Sequence, residues 1–381
     1  MSGYMGKVLN VDLSRGEVSV KGLDPAVATQ FLGGMGLGTK WLYDEVGPQV
    51  DPLGEDNLVV FATGPVTGTE APCAGRVEVA TKSPLTGHLA TGDTGGWWGV
   101  ELKRAGYDAI IVRGRSPHPV YLWIDNGHAE LRNAQHLWGQ DTWQTTDALR
   151  QELGEVGQHQ IRILAIGPAG ENLVRFAALI NEYFHAQGRC GIGAVLGSKK
   201  LKAIAVRGSG RVSVARPTEF AAAVREAVHR ITTPWHPGLE APHKAFGSLG
   251  VLDASRRQYE QGSLGGRNYQ GGVPPQWLEK VTLEAALPYL RGKEGVCYRC
   301  PIACFNVAEV NQGKYSGVRI ASATFLAPIV EFGGKCGLVD LPAIWKCKEV
   351  CHRLGLDLAS AAATVAFAME LYQRGIITRD E

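Results

Sequence analysis

Three cysteines within eight residues are the feature that most constrains this chain. Cys297, Cys300 and Cys304 follow the spacing C-x2-C-x3-C, and Pro301 comes directly after the second of them. Thiolates at this spacing can converge on one metal centre from a single tight turn. A [4Fe–4S] cluster needs four thiolates, so the fourth would come from elsewhere. A zinc site is the second interpretation, although structural zinc sites usually pair two separated doublets of cysteines. The third interpretation is that these are plain buried cysteines.

Length and charge exclude several classes of protein. The 381 residues suffice for two or three domains. The net charge of +2, with 20% charged residues, offers no surplus for binding a polyanion, so we expect no nucleic-acid partner. The longest apolar run, residues 358–369, is too short to span a bilayer and predicts a buried helix instead. The N-terminal sequence does not resemble a signal peptide, and the other cysteines show no disulfide-framework spacing. Both favour the cytoplasm, although an exported folded metalloprotein would look similar in this stretch.

The distribution of glycines and of β-rich and helical segments along the sequence predicts an α+β fold with two domains. Glycine is the compositional outlier at 49 residues, and the glycines crowd into residues 1–210 between short β-rich runs. This part predicts a β-sheet-rich domain, and residues 211–381 predict a mostly α-helical domain that carries the cysteine motif. The predicted strands are Lys7–Val11, Val18–Lys21, Leu58–Ala62, Val77–Thr81, Ala109–Arg113, Val120–Ile124, Ile161–Ile166 and Ala203–Arg207.

Apolar spacing and capping residues predict the helices. These are residues 95–105, 142–153 after an Asp141 cap, 218–231, a segment that begins at Asp340 and ends at Gly355, and 360–374. The last helix is apolar nearly all round, so we expect it to be buried on more than one side. Residues 233–275 are rich in proline and glycine and predict a long irregular stretch. No internal repeat is evident from the sequence.

Four glycine-rich segments suit a phosphate-bearing ligand. Backbone N–H groups can point at phosphate oxygens where no Cβ blocks the approach. None of the four matches a Walker A or dinucleotide-binding motif, and singly each is typical of an ordinary turn. Together they indicate a large phosphate-bearing cofactor. The segments are 63–69 followed by Arg76, 82–96, 166–172 and 188–199.

Three further cysteines are candidates for a ligand or for the core. Cys347 and Cys351 share an apolar helical stripe with Ile344, so we expect them in the core. Cys336 lies in a glycine-rich segment with the appearance of an exposed loop. It is therefore the better candidate within this chain for a fourth thiolate.

At these residues the chain resembles the tungsten-containing aldehyde:ferredoxin oxidoreductase family. The resemblance runs from Lys7 to the last residue. Its landmarks are residues 7–14, 64–68, 82–87, 101–109, 167–172, 188–202, the cysteine triplet and 355–357.

The resemblance implies a specific fold and activity. Family members have an N-terminal β domain that is the base for a bis-pyranopterin cofactor carrying tungsten, or molybdenum, and two largely helical domains cover it. The metal cycles between oxidation states while an aldehyde becomes a carboxylic acid. A nearby [4Fe–4S] cluster passes electrons to ferredoxin or an iron–sulfur electron-transfer subunit.

The resemblance also implies the binding residues. Those matching the positions that bind the pterins and their phosphates are Arg76, Asp93, Gly95, His185, Ala186, Gly188, Arg189 and Asp357, with His352 in place of an acidic contact. The family commonly has Asn where Asp93 stands and Arg where His185 stands. Asp93 thus adds a negative charge near phosphate oxygens, which a bridging Mg²⁺ would offset.

Three departures from the family pattern weaken the expectation that this chain catalyses the family's reaction by itself. The acids that follow the cluster motif in the family are replaced by residues 323–327, and Glu331 is the possible substitute. Lys346 and Glu349 stand where some members have an iron-binding Glu-x-x-His pair, so we expect no such iron. The family's fourth cluster cysteine lies in a C-terminal domain beyond this chain. We therefore expect one of three things: a fragment, a chain completed by a partner that supplies that domain, or a decayed paralogue.

Two alternatives to an aldehyde oxidoreductase follow from these departures. One is a truncated, non-catalytic assembly or electron-transfer subunit that keeps the cysteine motif. The other is a family branch that acts on a non-aldehyde substrate, such as an activated ring that is reduced. Loss of the family acids favours the non-catalytic subunit, whereas the retained Arg76 and glycine-rich loops oppose it.

Overall fold

The computed structural model describes residues 1–154, 161–233, 259–323 and 325–380, so part of the irregular stretch predicted at 233–275 lies outside the described residues. The chain forms two compact units. Unit 1 comprises Met1–His229, Cys297–Pro301 and Arg353–Asp357, and unit 2 comprises Arg230–Val296, Ile302–His352 and Leu358–Glu381. Sheets dominate unit 1 and helices are frequent in unit 2, which confirms the α+β class. The domain boundary at residues 210/211 stays a prediction.

All eight predicted strands form in unit 1, together with four that the sequence pattern did not indicate. The strands are β1 Lys7–Asp12, β2 Glu17–Gly22, β3 Val59–Thr63, β4 Val77–Lys82, β5 Leu89–Thr94, β6 Ala109–Arg113, β7 Val120–Asp125, β8 His128–Asn133, β9 Arg162–Ile166, β10 Leu179–Asn181, β11 His185–Gln187 and β12 Leu201–Arg207. The additional four are β5, β8, β10 and β11, which are short, polar or glycine-containing.

The twelve strands form two six-stranded sheets of identical topology. The first sheet has the order β2-β1-β6-β3-β4-β5, and the second has β11-β10-β9-β12-β7-β8. If β7–β12 are renumbered 1–6 and the second sheet is read from its other edge, its order is 2-1-6-3-4-5, the same as that of the first sheet. Each sheet also has one parallel pair, β1/β6 and β7/β12, among antiparallel neighbours. The expectation that the chain has no internal repeat is therefore wrong at the level of topology.

Period-2 alternation divides the apolar residues of the sheets between three cores. Leu9 of β1 and Leu122 of β7 point into a core shared by both sheets. Their neighbours Val8 and Tyr121 point to the two outer faces. Helices Pro25–Phe31 and Gly34–Glu45 cover the outer face of the first sheet, and helix Thr142–Glu152 covers that of the second. The layers are thus helix, sheet, sheet and helix.

Two short helices lie between the sheets and follow equivalent strands. Trp98–Arg104 follows β5 and Ile192–Ser198 follows β11, and both contribute side chains to the shared core. The helix Thr142–Glu152 begins with a capping box between Asp141 and Gln144, as the Asp141 cap predicts. The remaining helices of this part are Pro168–Glu171 and Pro217–Thr232, with a 3₁₀ turn at Gln135–Leu137.

The described residues of unit 2 combine helices with two small sheets. A hairpin pairs Gly265–Gly266 with Gly271–Gly272, and a three-stranded sheet joins Leu290–Lys293, Asn306–Glu309 and Arg319–Ile320. The helices among these described residues are Pro275–Lys280, Leu283–Ala286, Leu326–Pro328, Leu341–Leu354 (which extends two residues into unit 1) and Leu358–Gln373, with a 3₁₀ turn at Leu287–Tyr289 and a π-helix at Ile329–Lys335.

Two expectations about unit 2 are wrong. The helix Leu358–Gln373 buries only small residues, Ala362 and Ala366, whereas Phe367 is 54% exposed and Met369 is 50% exposed. Cys336 is not in an exposed loop. It is buried, and its Sγ lies 3.4 Å from the carbonyl oxygen of Ala362, because the π-helix before it turns the thiol toward the last helix. Cys351 is buried as predicted, and Cys347 is partly buried.

No helix in the described ranges is both long enough and apolar enough to cross a membrane.

A buried ion pair ties the N-terminus to the first sheet. Lys103 and Asp108 are fully buried, and the Lys103 Nζ donates to the Asp108 carboxylate at 2.6 Å and to the Gly3 carbonyl at 2.7 Å. The same carboxylate accepts from the backbone N–H groups of Met5 and Gly6. Burial lowers the pKa of Lys103, while Asp108 opposes that shift. The pair therefore satisfies several buried polar groups at once.

Removing the Asp108 charge should destabilise the fold far more than removing an exposed partner. In Asp108→Asn the buried Lys103 loses its counter-charge, so the free energy of unfolding should fall by about 3–5 kcal/mol. The matched control is Asp44→Asn, which breaks the more exposed Lys40–Asp44 helix pair and should cost about 0.3–0.5 kcal/mol. Urea unfolding monitored by tryptophan fluorescence measures both. Equal losses of unfolding free energy in the two variants would contradict the structural role given to the Lys103–Asp108 pair.

Candidate functional site

The two six-stranded sheets meet at their equivalent edge strands, β5 and β11. The side-chain amide of Gln187 in β11 donates to the Gly92 carbonyl of β5 at 3.2 Å. The amide of Asn181, in the neighbouring β10, donates to the Gly95 carbonyl just after β5 at 2.8 Å. Edge strands carry unpaired backbone groups. Here side-chain amides partner some of them, and the glycine-rich segments after β5 and β11 come together.

The turn that carries the cysteine motif begins at Cys297, and we call it the cysteine turn. At Cys297 it packs directly on the segment that follows β5. A Cβ added to Gly95 would stand 2.5 Å from the Cys297 Sγ and 3.6 Å from the His185 Nδ1. Only glycine therefore allows this approach. The Tyr298 N–H donates to the Gly96 carbonyl at 3.2 Å, and the Tyr298 ring packs edge-on against Trp97. The predicted residues Gly95, His185 and Cys297 are thus brought together.

We call the place where β5 and β11 and the glycine-rich segments after them meet the junction. Three charged side chains lie beside it, on or next to β4 and β5. Arg76 forms an ion pair with Asp93, and both side chains are exposed. Glu78 stands directly opposite Asp93 in the strand register. Burial, followed by the nearby Asp93 charge, raises the pKa of Glu78 to about 7. Arg76 therefore balances one of two neighbouring carboxylates.

The equivalent segment after β11 carries a second ion pair. The Arg189 Nε lies 3.6 Å from the Asp357 carboxylate, with Arg189 exposed and Asp357 buried. Gly188 lies close to the same carboxylate, which would be 3.5 Å from a Cβ added there. Ala186 occupies the middle of β11, paired with Ile180. Gly188, Arg189 and Asp357 are therefore neighbours, as a shared binding role requires.

Unpartnered polar atoms at this junction support a bound polar group. Within the described part of the chain, Thr94 Oγ1, Asn181 Oδ1 and Gln187 Oε1 are buried and lack a hydrogen-bond partner. Buried polar atoms without partners are costly and usually mark a ligand, an ion or a water. All three belong to strands β5, β10 and β11. The junction therefore fits a hydrogen-bonding ligand with its own donors.

The structure separates the three cysteines of the motif between the two units. Cys297 and Cys300 belong to unit 1, and Cys304 belongs to unit 2. Cys73 is an exposed residue of unit 1, and its Sγ lies 3.6 Å from that of Cys300. Burial, followed by Cys300, raises the pKa of Cys73 to about 11. In the described ranges no group of three or more His, Cys, Asp or Glu side chains is arranged to hold a single metal ion.

Two predicted site residues lie in unit 2. Glu331 is in the π-helix and its carboxylate pairs with Lys335 at 2.5 Å. His352 is buried near the end of helix Leu341–Leu354. Lys348 of the same helix is also buried, and its Nζ donates to the carbonyls of Ala321 and Ser322. Burial lowers the pKa of Lys348 to about 7.

Sequence reasoning missed Cys73, Glu78 and the amides of Asn181 and Gln187. For Cys73 one signal was available, since it stands three residues before Arg76 in a glycine-containing loop. Glu78 became relevant only through its pairing with Asp93. The amides became visible only with the strands β10 and β11, which their short sequences did not predict.

Comparison with known proteins assigns the chain to a family. The family model "Aldehyde ferredoxin oxidoreductase, N-terminal domain" matches residues 8–208, and "Aldehyde ferredoxin oxidoreductase, domains 2 & 3" matches residues 223–381. The first match alone covers more than half of the chain. The fold and junction are thus those of an oxidoreductase family, and the chain belongs to the aldehyde ferredoxin oxidoreductase family, which confirms the resemblance.

Individual relatives agree with this assignment. The chain is 41% identical to the tungsten-containing aldehyde ferredoxin oxidoreductase of Pyrococcus furiosus, and 32% identical to the aliphatic sulfonate oxidoreductase, WOR-like subunit, of the same organism. Both matches cover 100% of this chain, which spans 61% of each relative's length. Among solved structures, the active site complex BamBC of benzoyl coenzyme A reductase with 1,5-dienoyl-CoA matches with a TM-score of 0.86 and 31% identity, covering 100% of this chain and 57% of that one.

The raised pKa of Glu78 predicts a pH dependence of stability. The folded protein holds the Glu78 proton to about pH 7, whereas the unfolded chain releases it near pH 4.5. This contribution to stability is therefore present below pH 4.5 and is lost as the pH rises through 7. Glu78→Gln has no such proton, so its unfolding free energy should gain on that of the wild type between pH 4.5 and 7. Urea unfolding across this range measures the difference, and parallel curves would contradict it.

Proposed function

We propose that the chain belongs to an oxidoreductase that oxidises aldehydes to carboxylic acids and passes the electrons to ferredoxin. Family membership supports this, and so do relatives that carry the name tungsten-containing aldehyde ferredoxin oxidoreductase. The observation that carries the proposal is the packing of Gly95 against Cys297. This packing places the glycine-rich segment after β5, of a kind that suits a phosphate-bearing cofactor, directly beside a thiol of the cysteine turn.

Unit 1 carries the residues that would hold a bis-pyranopterin cofactor with tungsten or molybdenum. Such a cofactor supplies the two-electron oxidation when bound. The identical topology of the two sheets offers two equivalent edges, which suits a ligand with two similar halves. The residues proposed to bind it are Arg76, Asp93, Gly95, His185, Ala186, Gly188, Arg189, Asp357 and His352.

The charges at the junction suit phosphate groups together with a cation. Arg76 and Arg189 are exposed and can turn from their carboxylate partners toward anionic oxygens. Asp93 and Asp357 would repel the same oxygens. We propose a bridging Mg²⁺, which prefers oxygen ligands and offsets this repulsion.

The cysteine turn is the proposed site of a [4Fe–4S] cluster with Cys297, Cys300 and Cys304 as ligands. Arg76 acts electrostatically on Cys297 from the cofactor side. Its charge stabilises thiolates and cofactor phosphates alike, so Arg76 is proposed to connect the two sites. An acidic group for catalysis is proposed at Glu331. Its position in a π-helix supports this, because π-helical turns often occur at functional sites.

We propose that further polypeptide, in this or another chain, covers the last helix. The apolar side chains of Val365, Phe367, Met369 and Tyr372 on helix Leu358–Gln373 are exposed. A run of exposed apolar residues on one helix is typical of a contact surface. The relatives' additional length is consistent with such a covering segment.

A reductase of activated rings is the second candidate function. The whole-chain match to the benzoyl coenzyme A reductase complex favours it. An assembly subunit without catalysis is the third candidate. The replacement of the family acids by residues 323–327 favours it, and the retained Arg76 opposes it.

Metal and pterin content, followed by substrate oxidation, tests the proposal. Protein prepared without oxygen should contain tungsten or molybdenum, iron, and a pterin that becomes fluorescent after acid release. It should reduce a viologen dye with an aldehyde. Reduction of an aromatic acyl-CoA thioester without aldehyde oxidation would establish the second candidate instead. Protein with neither pterin nor iron, even with its covering polypeptide present, would contradict both.

A glycine variant tests where the cofactor binds. Gly95→Ala sets a methyl group against the Cys297 Sγ, so the variant should lose most of its iron and pterin. The control Gly47→Ala places its methyl group in open space and should retain both. Circular dichroism establishes that each variant is folded. Equal cofactor content in the two variants would contradict the proposed site.

A further inference from the structure

Cys73 lies within sulfur contact of the cysteine turn. Its Sγ is 3.6 Å from the Cys300 Sγ, although the two residues are 227 positions apart in sequence. Two thiolates bound to different irons of a cluster are held apart by those irons. Direct contact between the sulfurs instead resembles the arrangement that precedes a disulfide, in which they approach to about 2.0 Å.

The backbone around both cysteines is fixed by further contacts. The Cys73 N–H donates to the Arg299 carbonyl at 3.1 Å, immediately before Cys300. Glu70, from the same loop as Cys73, forms an ion pair with the Arg299 side chain. Ala74 packs against Tyr298 in a small apolar cluster. These contacts hold the loop and the turn together, so closing the two sulfurs requires little backbone movement.

Cys73 also adopts a backbone conformation that most side chains avoid. Its φ is +61°, in the left-handed region. Such a conformation is unfavourable for a residue with a Cβ and persists where the surroundings impose it. In this position the Cys73 Sγ contacts that of Cys300, and Cys73 is an exposed residue. A small oxidant can therefore reach it.

We propose that Cys73 forms a disulfide with Cys300 whenever no cluster occupies the cysteine turn. With a small-molecule disulfide as oxidant, one Cys thiolate attacks it and releases one small thiol. The second Cys sulfur then attacks the mixed disulfide and releases the other. One Sγ–Sγ bond forms, both cysteines are oxidised, and the oxidant is reduced to two thiols.

The disulfide and the cluster exclude each other, because Cys300 cannot serve both. The bond protects Cys300 from irreversible oxidation, and a dithiol reductant returns it as a free ligand. Cys73 is thus a resolving thiol for the empty site. This competition rests on the proposed cluster, whereas formation of the disulfide does not.

Peptide mapping of metal-free protein tests the bond itself. The chelated protein is treated with oxidised glutathione, blocked with an alkylating agent and digested with trypsin without reduction. Trypsin separates Cys297 from Cys300 after Arg299. The expected product links the peptide ending at Arg76 to the one beginning at Cys300, at their summed mass less two hydrogens plus the alkyl group on Cys304. Fragmentation must place the bond on Cys300 rather than Cys304. A Cys297–Cys300 bond, or free Cys73, would overturn the proposal.

Variants separate a resolving thiol from a cluster ligand. Cys73→Ser should abolish the cross-linked peptide and leave the iron content of anaerobic protein unchanged. After oxidation, it should recover far less iron than the wild type when a dithiol, iron and sulfide are added. The control Cys347→Ser should behave as the wild type in all three measurements. Loss of iron from anaerobic Cys73→Ser would show that Cys73 is a ligand and would overturn the proposal, while the proposed cluster would stand.

Discussion

The contact between β5 and β11 is the constraint on which the proposed site depends. Both are edge strands, and both leave backbone groups without a partner in their own sheet. The amides of Asn181 and Gln187 close part of that gap, and the oxygens of the same side chains stay unpartnered. A polar ligand at this junction would therefore complete hydrogen bonding that the protein leaves unfinished. The identical topology of the two sheets makes the two sides of the junction alike.

Glycine and charge adapt this junction to its proposed ligands. Gly95 lets the cysteine turn approach within a distance that any Cβ would block. Arg76 acts electrostatically on Glu78 of β4 and on Cys297 of the cysteine turn, and it lowers the cost of negative charge on both. Packing and electrostatics thus bring the glycine-rich segment after β5 and Cys297 into one neighbourhood.

The sequence predicted the elements with strong local signals. All eight strands with β-branched or alternating runs form, and so does the helix that Asp141 caps. The edge strands β5 and β11 were missed because glycine and polar residues hide their periodicity, yet these strands position the site. The spacing of Cys297, Cys300 and Cys304 indicated the cysteine motif, and family motifs indicated Arg76 and Gly95. Glu78 and the contact of Cys73 with Cys300 became apparent only from contacts across the chain, as did the burial of Cys336, which follows from the π-helix before it.

Anomalous diffraction at the tungsten, molybdenum and iron absorption edges, from crystals of anaerobically prepared protein, tests the account most directly. The account predicts a tungsten or molybdenum peak at the junction of the segments that follow β5 and β11. It also predicts iron density at Cys297 and Cys300. A tungsten or molybdenum peak away from Gly95 and Gly188, or iron bound elsewhere than the cysteine turn, would contradict the central claim.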